Sequence, residues 1–124
     1  MRAIDELLMM VPLTEDEHRR LDAAISPGRV VTDPAALASA DVVVTPRDPG
    51  SELAGASRLA WVHVAHAGLD GGDLLPLLDA GVIVTSGAGR SAEALAEHTL
   101  YFLLALNGGY RRFHRAQRWR VWGI

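Results

Sequence analysis

Apolar and polar positions along this chain follow two rhythms. Short continuous apolar runs recur: "LLMMV" (7–11), "GRVVTD" (28–33), "DVVVT" (41–45), "LAWVHVA" (59–65) and "VIVTS" (82–86). Their length and β-branched content predict strands. Helical spacing fills the gaps. "LTEDEHRRLDAAI" (13–25) sets Thr14 and Glu17 at capping-box spacing. Asp33 is placed to cap a short helix with Pro34 at its first position, where a missing N–H costs nothing. "PRDPGS" (46–51) breaks the chain, and Ser51 can cap a short helix reaching Ala56. "DGGDLLPLLDAG" (70–81) reads as a helix with Asp70 as N-cap, Asp73 in the first turn and Gly81 at the close. From Ser91 a long apolar helix is expected over 91–118, weakened at Gly108-Gly109.

The order is strand then helix, five times over. Strands alternating with helices imply parallel pairing and right-handed crossovers. Five such units in 124 residues fit an α/β, flavodoxin-like three-layer domain. Its sheet order would be 2-1-3-4-5, with a long C-terminal helix after the last strand. "DVVVT" is continuously apolar, as a strand covered on both faces should be. Ligands bind such sheets beyond the carboxyl ends of the strands. That directs attention to the loops at 12–14, 46–51, 66–72 and 86–91.

Composition narrows the choice. There is no cysteine, which removes disulfides, Cys-based zinc sites and thiol nucleophiles. "MRAIDELLMM" does not resemble a signal peptide, and the longest apolar run, 94–106, is interrupted by Glu97 and His98 and too short to span a bilayer. A cytoplasmic chain without membrane contact is the expectation. Charge is uneven: residues 1–110 hold seven Arg against all fifteen acids, a balance of −8, whereas 111–124 hold five Arg and no acid. A basic tail can bind nucleic acid, but one short basic segment on an acidic body fits helix-dipole complementation and surface solvation. No nucleic-acid partner is expected.

Two loops carry candidate chemistry. In "WVHVAHAGLDGGDL" (61–74), His63 and His66 lie three apart, which in a strand points them to opposite faces. Metal-ligand spacing is absent. His66, at the strand end, is open to two readings: a catalytic histidine, or one hydrogen-bonded at the sheet edge. Ala67-Gly68 then turns the strand, and exposed N–H groups at such a turn make a small anion site suited to a carboxylate or a phosphate. A plain strand-to-helix turn fits the same residues. In "VTSGAGRSAEALAEH" (84–98), Arg90 is the single positive charge between Arg58 and Arg111, Ser91 is a good N-cap, and Gly87-x-Gly89 lacks the third glycine of a dinucleotide fingerprint, position 92 being Ala. Arg90 can grip an anion or serve as a solvated surface group.

These two loops together resemble the N-terminal substrate-binding domain of the D-isomer-specific 2-hydroxyacid dehydrogenases. The matching residues are Ala67, Gly68, Leu69, Asp70, Asp73, Leu74, Gly81, Val82, Val84, Thr85, Leu95, Ala96, Glu97 and His98, in the family's order and spacing. The resemblance is good over about residues 40–124. The chain departs from the family's Asn at Ser86, its frequent Pro at Ala88 and the Asn that some members have at Ser91. Phospho-receiver domains and flavodoxins share the sheet order, but a receiver needs acidic residues directly after strand one, where this chain has "VPLT", and a Lys, of which it has none; a flavodoxin needs a Ser/Thr/Gly-rich phosphate loop there, and "PLTEDE" would repel a phosphate.

The resemblance implies a single substrate-binding domain over 1–124. It would belong to an NAD(P)-dependent oxidoreductase that interconverts 2-oxo and D-2-hydroxy acids. The substrate carboxylate would sit on backbone amides at Ala67-Gly68, with His66, Arg90 and Ser91 as neighbours. Residues 91–118 would bridge the domains and form a homodimer interface. The family's catalytic residues and its NAD or NADP site lie in a Gly-x-Gly-x-x-Gly domain absent from this chain, supplied in cis or in trans. A closing helix, normally from the family's far C-terminus, is also absent. No catalytic residue, bound cofactor or metal is therefore expected here, and the chain alone would be inactive. The alternative is a stand-alone, non-catalytic ligand- or protein-binding module of the same fold.

Overall fold

A computed structural model describes residues 3–122. Five parallel strands form one sheet: β1 (Glu6–Met9), β2 (Arg29–Val31), β3 (Val42–Thr45), β4 (Trp61–Val64) and β5 (Ile83–Ser86). Their order is 2-1-3-4-5, as the alternation predicted. Helices α1 (Glu15–Ile25), α2 (Ser51–Ala54) and α3 (Leu75–Asp79), with a 3-10 turn over Pro34–Ala38, connect them. The chain divides into two compact units, 1–88 and 89–124.

Register explains the core of the first unit. One transverse row runs Val31, Leu8, Val43, Val62, Val84 through successive pairings. It packs against Leu37, Leu53 and Leu77 from the helices on that side. Leu8, Val43, Val62 and Leu77 are completely buried. The adjacent row, on the other face, runs Val30, Leu7, Val42, Trp61, Ile83. Helix α1 supplies Leu21 and Ile25 to this side. Within the first unit α1 is the only helix on this face, and Ile83 is left 58% exposed. An apolar groove of about 300 Å³ follows, lined by Ile4, Val42, Trp61 and Ile83 among others.

Local signals set the element ends. Thr14 and Glu17 form the expected capping box: the Glu17 carboxylate accepts from the Thr14 N–H at 2.8 Å, and the Glu17 N–H donates to the Thr14 hydroxyl at 3.3 Å. The Thr14 amide, then its hydroxyl, hold the Glu17 carboxyl below its ordinary value. Asp33 accepts from the Ala35 N–H at 2.9 Å, with Pro34 behind it. Three expected caps differ. Gly50, not Ser51, precedes α2, and Ser51 is its first residue. Helix α3 starts only after Leu74, with Pro76 in its first turn, so Asp70 does not cap it and Asp73 lies before it. The physical reason is Pro76: its fixed φ and missing N–H suit a first turn and not the middle of a longer helix. Ser91 precedes the next helix but makes no side-chain capping bond.

The second unit is α4 (Ala92–Asn107) and α5 (Tyr110–Arg118). The single helix expected over 91–118 is thus two. Gly109 adopts φ 67°, a left-handed conformation that glycine takes without steric cost and that ends α4. No residue of α4 is buried, and Leu95, Leu100, Phe102, Leu103, Leu104 and Leu106 are all exposed. Among the described residues, no helix is long and apolar enough to cross a membrane.

Candidate functional site

The two ends of the sheet differ in how their polar groups are used. At the amino end Asp41 is buried, its side chain 4% exposed. Its carboxylate accepts from the Asp5 and Glu6 N–H groups, at 2.9 and 3.1 Å, and from Arg58 at 3.1 Å. Burial by itself would raise the Asp41 carboxyl. The two amides and the guanidinium outweigh it and hold the group below the usual aspartate range. Arg58 also reaches Asp5 at 2.7 Å. This is a structural clamp between β1, β3 and the turn before β4.

The carboxyl end is unfilled. After β4 the chain passes through His66, Ala67 and Gly68 with no regular structure. Among the described residues, the six N–H groups from His66 to Gly71 meet no protein acceptor. The turn is nevertheless held in place. The Gly87 N–H donates to the carbonyls of Val64 and His66, both at 2.9 Å. Ser86 Oγ donates to the Ala67 carbonyl at 3.2 Å. The Asp73 N–H donates to the Pro49 carbonyl at 3.0 Å, tying in the loop after β3. Glycine is required at 87, because a Cβ there would lie 2.6 Å from the Ala65 carbonyl oxygen. Carbonyls are thus spent on scaffolding while a run of N–H groups is left without a protein acceptor among the described residues, an arrangement that can take an anion.

The histidines separate, although His66 lies beyond the end of β4 and the strand period applies only to His63. His63 lies on the α1 side, where its Nδ1 is 2.9 Å from Thr85 Oγ1. Trp61 Nε1–H donates to the same hydroxyl at 2.8 Å, so His63 belongs to a cross-strand cluster. His66 lies beyond the strand, with Nε2 3.3 Å from Asp48 Oδ1. Asp48 is a neighbour that local sequence reasoning missed; its loop is brought in by β3–β4 pairing, and "PRDPGS" by itself reads as a chain break. Among the described residues, no three His, Asp or Glu side chains converge as metal ligands would.

First-unit site residues His66, Ala67 and Gly68 are therefore contiguous and joined by Asp48 and Ser86. Arg90 and Ser91 open the second unit. Both are exposed, and among the described residues Arg90 has no ion pair or hydrogen bond. A further groove, of about 760 Å³, lies by Met10, Pro12, Thr14 and His18, and none of the expected site residues lines it. For a dinucleotide the residues present do not fit. Gly87 and Gly89 follow β5, but Ala92 stands where the fingerprint's third glycine opens the helix.

The sequence matches no protein-family model and no curated protein. Solved structures do resemble it. D-lactate dehydrogenase from Aquifex aeolicus, complexed with NAD and lactic acid, superposes with a TM-score of 0.68 at 22% identity, over 96% of this chain and 38% of that one. Phosphoglycerate dehydrogenase from Lactobacillus plantarum gives 0.59 at 23% identity, over 96% and 41%. The pyruvate reductase of Chlamydomonas reinhardtii gives 0.54 at 18%, over 98% and 40%. What these share with the chain is the fold. The chain spans about two fifths of their length.

Proposed function

We infer that this chain is the substrate-binding part of an NAD(P)-dependent oxidoreductase acting on 2-oxo and D-2-hydroxy acids. The observation that carries the reading is the row of unfilled N–H groups at Ala67 and Gly68, at the carboxyl end of β4. A carboxylate accepting two or more main-chain N–H bonds there would be held by charge-assisted bonds. The fold shared with a lactate dehydrogenase, a phosphoglycerate dehydrogenase and a pyruvate reductase supports the same reading.

The chain's part is to bind the acid and fix its orientation, which sets reaction geometry. His66 borders the cradle. Arg90 and Ser91 are offered as further contacts, on the strength of the loop's resemblance. The cofactor and the acid-base residues belong to a dinucleotide-binding domain, in cis or in trans. The sheet face beside Trp61 and Ile83, to which the first unit contributes α1 alone, is suited to a closing helix, and the exposed apolar residues of α4 to a homodimer.

The test is the purified chain with NADH and pyruvate. NADH absorbance is expected to stay constant, while ligand-observed NMR reports pyruvate binding at millimolar concentration. Turnover by the chain alone would refute the division of labour; no binding would refute the cradle.

A further inference from the structure

We propose that His66, held by Asp48, makes this site select 2-oxo acids carrying a hydroxyl on C3 over those with an alkyl group there. The proposal rests on the carboxylate cradle at Ala67-Gly68 and adds a substrate class to it.

The argument starts from an incomplete pairing. Asp48 Oδ1 is buried and has no hydrogen bond. The group facing it is His66 Nε2, at 3.3 Å, an ion-pair distance without hydrogen-bond alignment. A buried carboxylate oxygen without a donor is costly, so the carboxylate favours the ring form with its proton on Nε2 and keeps the ring turned toward it. Asp48 itself is well fixed. Gly71 packs against its Oδ2, where any Cβ would collide. Its loop is turned by the Arg47 N–H donating to Thr45 Oγ1 at 3.1 Å and tied down by Asp73 at Pro49. The backbone of His66 is fixed as well, through the bond from Gly87 to its carbonyl.

One ring atom is left over. With Nε2 facing Asp48, Nδ1 has no partner among the described residues, and the His66 side chain is 42% exposed. Nδ1 accepts a hydrogen bond from a hydroxyl when the ring is neutral and donates one when the ring is protonated. His66 is bonded directly to Ala67, which keeps its ring near a carboxylate held on the Ala67 and Gly68 amides. A C3 hydroxyl satisfies Nδ1 in either ring state. A C3 methyl would desolvate it and return nothing, which is how buried polar groups discriminate.

The experiment compares two acids of nearly equal size, hydroxypyruvate and 2-oxobutyrate, titrated into the isotope-labelled full chain. Amide shifts of Ala67 and Gly68 and the ring nitrogen signals of His66 are followed. Hydroxypyruvate is expected to bind at least about fivefold tighter, the worth of one net hydrogen bond, and to shift His66 Nδ1. His66→Leu should abolish the preference, bringing the affinities for the two acids together. His66→Asn, which keeps a polar atom near the Nδ1 position, should restore part of it. Asp48→Asn should reduce the ratio through loss of ring orientation, with amide spectra confirming a folded chain. Equal affinities, or a preference that survives His66→Leu, would overturn the proposal and leave the cradle standing. If neither acid moves Ala67 or Gly68, the cradle itself fails and the proposal with it.

Discussion

Asp41 and Asp48 lie at opposite ends of the same strand, one residue before β3 and three after it. Asp41 has two amides and a guanidinium on its carboxylate. Asp48 has one carboxylate oxygen buried with no hydrogen bond and an imidazole standing off at 3.3 Å. The amino end of the sheet is saturated and the carboxyl end is not. In doubly wound sheets ligands bind beyond the carboxyl ends of the strands, and the proposed site lies at that end.

The difference can be broken by mutation. Asp41→Ala strands one buried and one half-buried amide and removes a partner of Arg58, and should cost about 3 kcal/mol of unfolding free energy in denaturant titration. Asp48→Ala should cost less than about 1 kcal/mol by the same measurement, since it removes a group with little native pairing. Equal losses would contradict the assignment of one end to stability and the other to binding. Gly87→Ala drives a methyl into the Ala65 carbonyl and should cost about 2 kcal/mol while displacing the 66–68 turn, read as broad amide shifts there.

Acid titration sharpens the same contrast. The folded Asp41 carboxyl is lowered, so its contribution is present above the ordinary aspartate value, near pH 4, and is lost as pH falls through the lower folded value. Unfolding free energy should therefore drop more steeply with acid in the native chain than in Asp41→Asn. Indistinguishable acid limbs would show that the clamp contributes nothing. The smallest stability effect belongs to a purely local device: Thr14→Ala removes one side of the capping box and should cost about 1 kcal/mol.

Much of this architecture was legible in the order of residues. The strand runs, the Thr14–Glu17 box and the Asp33-Pro34 start depend on near neighbours, and each formed as expected. The turn at Ala67-Gly68 was legible for the same reason. What escaped were features made by distant segments or by competition between signals. Asp48 reaches His66 only through β3–β4 pairing, and Asp41 finds Arg58 across 17 residues. Asp70 looked like a cap, but Pro76 moved the start of α3 to Leu75. The double glycine after α4 weakened a helix in sequence; in three dimensions the left-handed Gly109 ends it.

The central claim is that the amides of Ala67 and Gly68 hold a carboxylate. Titrating the labelled chain with pyruvate and, separately, with its methyl ester tests this most directly, because the ester keeps the 2-oxo acyl skeleton, adds one methyl and removes the charge. Saturable shifts at Ala67 and Gly68 with pyruvate at millimolar concentration, and none with the ester, are the predicted result. Silence at both amides, or equal shifts with the ester, would contradict it.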